Sequence, residues 1–214
     1  MSTLLTVTNL TKAYNGHTVL TVPDLRLVPG IHYFMGGNGS GKTTFFRTVA
    51  GLLPFTGQIV LDDQYDIARD PVAYRMRVNY AEAEPLYPTF LTARDLVGFV
   101  GQAKRAPAAQ VDMLAEILGV QSFWTQPTGT FSSGMLKKLS LMLALLGSPT
   151  LVLLDEPLTT LDVATAARLF DYIRQLHNEQ HVSFWLTSHQ DVHLTGLPIT
   201  ATWQVGNGSI NLVP

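Results

Sequence analysis

Two stretches of the chain carry residues suited to phosphate chemistry. "GGNGSGKT", residues 36–43, fits the spacing G-x-x-x-x-G-K-[ST] throughout. The small residues Gly36, Gly37, Asn38, Gly39, Ser40 and Gly41 let a backbone curl until several N–H groups point at one anion. A helix opening behind them adds positive potential. Lys42 can then bridge the β- and γ-phosphates of a nucleoside triphosphate, and Thr43, followed by Thr44, can set its hydroxyl on Mg2+. The second stretch, "LVLLDE", residues 151–156, is an apolar run ending in two carboxylates. A buried strand would deliver Asp155 beside the phosphates, where it can hold Mg2+, commonly through water. Glu156 then lies where an attacking water can be oriented or deprotonated. Acids at a strand end are common; behind a phosphate loop they are specific.

These residues need an apolar strand leading into the loop and a helix leaving it, and "GIHYFMGGNGSGKTTFFRTVAGLL" has that order. Upstream, residues 4–8, 19–22, 25–28 and 58–61 read as short strands separated by Gly, Pro and Asn. In "AAQVDMLAEILGV", Val111, Met113, Leu114, Ile117 and Leu118 fall at helical spacing behind Pro107, a first-turn residue. "SSGMLKKLSLMLALLG" predicts another helix, stopped by Gly147 and Pro149. The apolar runs "TLVLLDE" and "HVSFWLTSH" alternate with a helix over 164–178, as in a buried parallel sheet. "TATWQVGNGSINLV" alternates around Asn-Gly and reads as a hairpin. The expectation is one α/β domain over residues 1–214: a mostly parallel sheet, an N-terminal antiparallel β subdomain, and a helical insertion near 84–148.

Composition narrows the function classes. Apolar residues make up 46% and charged residues only 14%, so the chain is globular and a partner is expected to cover some of its surface. A net charge of -2 without a long basic block argues against nucleic-acid binding. With 0 Cys there is neither a disulfide framework nor a cysteine metal site. "MSTLLTVTNLTKAYNG" lacks the basic start and apolar core of a signal peptide. No uncharged apolar run approaches the roughly 18 residues a spanning helix needs. A membrane role is expected to come from another chain.

The motifs together are more specific than any one. The phosphate loop, "FSSGM" (131–135), "LVLLDE", "DEPLTTLD" (155–162) and "TSH" ending at His189 follow one another in a fixed order. In this order the chain resembles, over essentially its whole length, the nucleotide-binding subunit of an ATP-binding-cassette (ABC) transporter. The resemblance implies a P-loop NTPase core that binds and hydrolyses ATP, with Mg2+. It implies as partners a separately encoded transmembrane permease subunit and a second ATPase subunit, identical or different, and a place on the cytoplasmic face of the cell membrane. By the same resemblance Glu156 is the catalytic base, and His189 contacts the γ-phosphate and couples it to the attacking water. Asp162 belongs to the loop that meets the opposing subunit, and Tyr14 stacks on adenine, a contact worth about 0.5–1.5 kcal/mol. From residue type alone, Tyr14 also reads as a core or surface tyrosine and His189 as a surface histidine at a strand end.

The chain departs from the family pattern in two places. The family's signature segment is L-S-G-G-Q and caps the γ-phosphate held by a second subunit; here Ser132 and Gly134 keep it, while Ser133 replaces a glycine and Met135 an amide. Ser133 adds bulk and forfeits easy access to positive φ. The alternative for "FSSGM" is a plain serine-capped helix. In "VNYAEAEPLYP" the family's Mg2+-reaching glutamine is missing; Glu82, before Glu84, is the first candidate, and an exposed acidic loop is the other reading. The segment "EPLYPTFLTARD" resembles members serving exporters. Two other classes stay open. One is a cassette ATPase acting on nucleic acid or ribosomes, which lacks its basic tail and coiled-coil arm here. The other is a P-loop small-molecule kinase, for which Arg94, Arg105, Lys137 and Lys138 are too scattered to form a lid.

Overall fold

The computed structural model describes residues 3–187 and 196–213. In chain order the elements are β1 (Leu5–Tyr14), β2 (His17–Leu27), β3 (Ile31–Met35), α1 (Lys42–Val49), β4 (Thr56–Leu61), β5 (Tyr65–Asp66), α2 (Pro71–Arg77), β6 (Val78–Ala81), α3 (Ala93–Ala103), α4 (Ala108–Leu118), α5 (Ser133–Leu145), β7 (Leu151–Leu154), α6 (Val163–Gln180), β8 (Ser183–Thr187), β9 (Ile199–Gly206) and β10 (Ser209–Leu212). Strands β2-β1-β4-β5 form an antiparallel sheet. The second sheet has the order β10-β9-β3-β8-β7-β6 and is parallel except for β10.

The parallel strands are apolar on both faces because both faces are covered. Phe34, Leu151, Leu153 and Trp185 pack toward α1 and the antiparallel sheet. Ile31, Val152, Leu154, Phe184 and Leu186 pack on the other side, with apolar residues of α3, α4, α5 and α6. Three helices, α3 to α5, lie between β6 and β7 in the chain, and α5 touches both strands.

The register sets the working edge. Phe34 of β3 pairs with Thr187 of β8, and Leu154 of β7 with Leu186 of β8. The carboxyl ends of β3, β8 and β7 therefore finish together, the edge where open α/β sheets bind ligands.

Some elements differ from the sequence reading. The two strands expected at 19–22 and 25–28 are one strand, β2, which runs through Pro23. A sheet-edge strand tolerates the missing N–H, and β2 is at the edge. Strand β6 and helices α2 and α3 were not expected. In β6, Asn79 interrupts the apolar pattern; it is buried and its amide donates to the carbonyls of Ala144 and Leu146 at 2.8 and 2.9 Å. Helix α3 contains Gly98 and Gly101, which lower its propensity; Thr92 and Asp95 compensate with a reciprocal capping box. The expected hairpin is present as β9 and β10, turning at Asn207 (φ 50) and Gly208 (φ 72).

Candidate active site

The phosphate loop leaves β3 and enters α1. Gly41, at φ 105, caps the helix in a conformation only glycine adopts easily. Lys42 opens the helix, yet its side chain folds back and is only 7% exposed. Its ammonium donates to the carbonyls of Gly36 (2.6 Å) and Gly37 (3.2 Å), so the cation sits inside the curl of the loop. Asn38 and Gly39 are exposed, Ser40 is half-buried, and Thr43 is exposed on the first turn, followed by half-buried Thr44. Val19 and the β9–β10 turn line the same concavity. Beneath it, Phe34, Phe45, Phe46 and Trp185 hold α1 on the sheet, with Phe34 5.0 Å from Trp185 and 5.3 Å from Phe46 between ring centroids.

Asp155 and Glu156 follow β7 along the same edge. Asp155 is fully buried, and both its oxygens accept: one from the Thr187 hydroxyl at 2.6 Å, the other from the Tyr80 hydroxyl at 3.2 Å. Burial first, then the charges of Asp155 and Glu82, push the Tyr80 hydroxyl far above its usual range, so it remains a donor. The Thr187 oxygen also accepts from the Glu156 amide at 2.9 Å, linking the two acids through one hydroxyl. Glu156 has φ 49, an uncommon backbone for a non-glycine residue and a frequent mark of functional positions. Thr159 donates to its carboxylate at 3.3 Å. His189 lies outside the described residues.

Glu82 follows β6 and pairs with Arg47 of α1 at 3.3 Å. The expected ligand thus faces a cation on the helix that carries Lys42. Tyr14 ends β1, is 42% exposed, and has the Lys12 ammonium 4.4 Å from its ring centre.

The segment "FSSGM" starts α5. Ser132 is the N-cap, its oxygen accepting from the Met135 amide at 3.2 Å. Ser133 is the first helical residue, outside the positive-φ positions. The forfeited access to positive φ has no consequence here: the helical turn asks for no positive φ, and only the added bulk remains. Gly134 is constrained differently, since a Cβ there would lie 3.0 Å from the Thr160 carbonyl. Lys138 of α5 pairs with Asp162, the N-cap of α6, at 2.9 Å. That bond, with those from the Thr165 amide and hydroxyl, holds the Asp162 carboxyl well below the usual carboxylate range. The signature segment and the loop before α6 are therefore fastened to each other.

Sequence reasoning missed Tyr80, Thr187, Lys137 and Arg47. Lys137 left a signal: it shares the buried side of α5 with Ser140, Leu141 and Ala144, and a lysine on an apolar helix face has a partner or a task. Tyr80 and Thr187 left none, because a polar tip on a buried strand looks like ordinary core.

Residues 24–159 match the family model described as ABC transporter. The chain is 34% identical over 194 residues to the phospholipid-transporting ATPase ABCA7 of Homo sapiens, covering 87% of this chain and 9% of that protein. It is 32% identical over 195 residues to the sulfate/thiosulfate import ATP-binding protein CysA of Mycobacterium bovis, covering 88% of this chain and 55% of that one. The chain thus spans about half the length of one curated relative and under a tenth of the other. Among solved structures, the ATP-binding subunit of an ABC transporter superposes with TM-score 0.82 at 24% identity, over 98% of this chain and 90% of that one. A dimeric ATP-binding cassette in a post-hydrolysis state, bound to ADP and Pi, superposes with TM-score 0.80 at 17% identity, over 97% of each. These two likenesses concern the fold.

Proposed function

The chain belongs to the ABC transporter family, and from that premise we propose that it binds and hydrolyses ATP to drive a separately encoded membrane permease. One observation carries this reading. The phosphate loop, with its cation already inside the curl, and the Asp155–Glu156 pair emerge on one edge of one sheet.

In this reading the loop amides and Lys42 take the triphosphate, and Tyr14 stacks on the adenine. Glu156 accepts a proton from a water as that water attacks the γ-phosphorus. The bond from γ-phosphorus to the bridging oxygen breaks, leaving ADP and phosphate. Asp155, fixed by Tyr80 and Thr187, and Thr43 are the groups for Mg2+. Among the described residues no three His, Cys, Asp or Glu side chains gather as a metal site. That suits an ion that takes most of its ligands from phosphate and water. Glu82, paired with Arg47, is proposed as an outer contact. His189 is assigned to the γ-phosphate by resemblance. Ser132, Ser133, Gly134 and Met135 of one copy would cover the γ-phosphate held by a second, with Asp162 in the loop between them; the helical segment 84–148 would carry this surface.

The permease would meet an apolar groove of about 560 Å3 lined by Leu52, Val72, Met76, Tyr87, Val100 and Leu143. Val72 and Leu86 at its rim are 75% and 88% exposed. No helix among the described residues is long and apolar enough to cross a membrane. The proposed place, which rests on the family resemblance, is the cytoplasmic face, held by the permease.

Lys42→Ala tests the nucleotide site. At about 100 times its Kd, ATP should stabilise the wild type by roughly 2.7 kcal/mol and the variant far less, read as the shift in melting temperature. An equal shift in both proteins would place nucleotide binding elsewhere.

A further inference from the structure

Lys137 stands in the second turn of α5, and its side chain is turned inward, only 2% exposed. Its ammonium donates to the carbonyls of Glu82 (2.8 Å) and Ala83 (2.5 Å) and reaches that of Asp155 (3.4 Å). An ammonium has three donors, and all are engaged. Burying a lysine is costly unless the charge is compensated. Burial does pull its pKa below the usual lysine range, while the charges of Asp155, Glu156, Glu84 and Glu82 oppose that pull.

The place of these carbonyls matters. The β6–β7 ladder ends at Ala81 and Leu154, with the Asp155 amide donating to the Ala81 carbonyl. Beyond that bond one segment continues to Glu156, the other to Pro85, Leu86 and Tyr87 on the apolar groove. The ammonium bonds to both segments just past the end of the ladder. From the same helix, the Ser140 hydroxyl accepts from the Glu82 amide at 3.2 Å. Two carboxylates and a methyl group, the side chains of Glu82, Glu84 and Ala83, offer these carbonyls no donor, so α5 supplies it.

We propose that Lys137 is a positioning residue that ties the groove segment 82–87 and helix α5 to Asp155 and Glu156, so that the hydrolytic pair is set only when that segment is in place. This rests on the reading of Asp155 and Glu156 as the hydrolytic pair. Lys137 touches neither nucleotide nor water; it acts through the backbone that holds the acids.

The test compares the wild type with Lys137→Met, Lys137→Gln, Glu156→Gln and Leu118→Ala, a core truncation in α4. Melting temperature, affinity for a fluorescent ATP analogue and kcat are measured well below the lowest melting temperature. Lys137→Met should lower kcat at least about tenfold, the loss expected for a hydrogen bond from a charged group, and leave nucleotide affinity within about threefold. Lys137→Gln, which retains an N–H donor, should fall between and carries the test if the Met variant does not fold. Leu118→Ala should lose stability and keep its kcat. Because the chain has 0 Cys, Lys137→Cys alkylated with bromoethylamine under denaturing conditions and refolded regains an ammonium at that position alone, and should regain most of the rate. Wild-type kcat in Lys137→Met and Lys137→Gln beside an inactive Glu156→Gln overturns the tie. So does a loss of kcat in Leu118→Ala equal to theirs. Wild-type turnover by Glu156→Gln removes the underlying reading instead.

Discussion

Asp155 shows what one residue at this edge requires. A carboxylate with no exposed surface survives only if its oxygens are occupied, and Thr187 and Tyr80 occupy them. His32, on β3 with β8 between it and β7, is buried by the opposite solution. Trp203 donates to its Nδ1 at 3.1 Å, so the proton sits on Nε2, which donates to the Val28 carbonyl at 2.8 Å. Burial holds the folded pKa below 6.5, only partly offset by the bond to Val28. The neutral ring therefore stabilises the fold fully above about pH 6.5. As pH falls below that value the unfolded chain gains a proton the folded one refuses, and stability drops by up to about 1.4 kcal/mol per pH unit. Urea midpoints between pH 7.5 and 5.5 should show this fall, and His32→Gln should flatten it. A fall of equal slope in the variant would assign the effect to other groups. The residues proposed for the phosphate chemistry were legible because their types and spacing are unusual: Lys42, Asp155 and Glu156 stand out from any apolar background. The groups that orient them were not, since Tyr80, Thr187 and His32 carry polar tips on strands whose pattern reads as core.

At the scale of elements, α5 does three things at once. Its N-cap faces outward at Ser132, Gly134 fits under the Thr160 carbonyl, and Lys138 reaches Asp162. The helix itself was legible from "SSGMLKKLSLMLALLG", and so was the possibility of a plain cap, which the bond from Met135 shows to be present. A cap and a phosphate contact are separable, because capping uses the oxygen as acceptor and leaves the hydroxyl hydrogen for an anion. Ser132→Ala should cost about 1 kcal/mol of stability. If the hydroxyl also grips a neighbour's γ-phosphate, turnover should fall roughly tenfold to a hundredfold. Ser132→Asp, an equally good cap, should keep the melting temperature and still lose turnover. If Ser132→Asp hydrolyses ATP like the wild type, the segment is a cap and nothing more. Elements without such signatures were missed for local reasons. Asn79 disguises β6, where its backbone keeps its place in the ladder while its side chain bonds to the end of α5, and glycines dilute α3. Pro23 divides on paper a strand that its edge position allows to continue.

At the scale of the whole molecule, the parallel sheet lies between two cores, and each core positions one half of the proposed site. The aromatic side under α1 holds the phosphate loop. The helical side holds α5 and the segment after β6 beside Asp155. The low charge fraction pointed to a covered surface, and the groove beside Leu86 is the place proposed for it. Where that groove lies was not legible, because it is assembled from residues as far apart as Ala50 and Ala144. The central claim is that this edge cleaves ATP with Glu156 as the base, and single-turnover hydrolysis by Glu156→Gln at saturating ATP and Mg2+ tests it most directly. The variant should bind ATP as well as the wild type and cleave it roughly 10²–10⁴-fold more slowly. A wild-type rate in the variant would contradict the account.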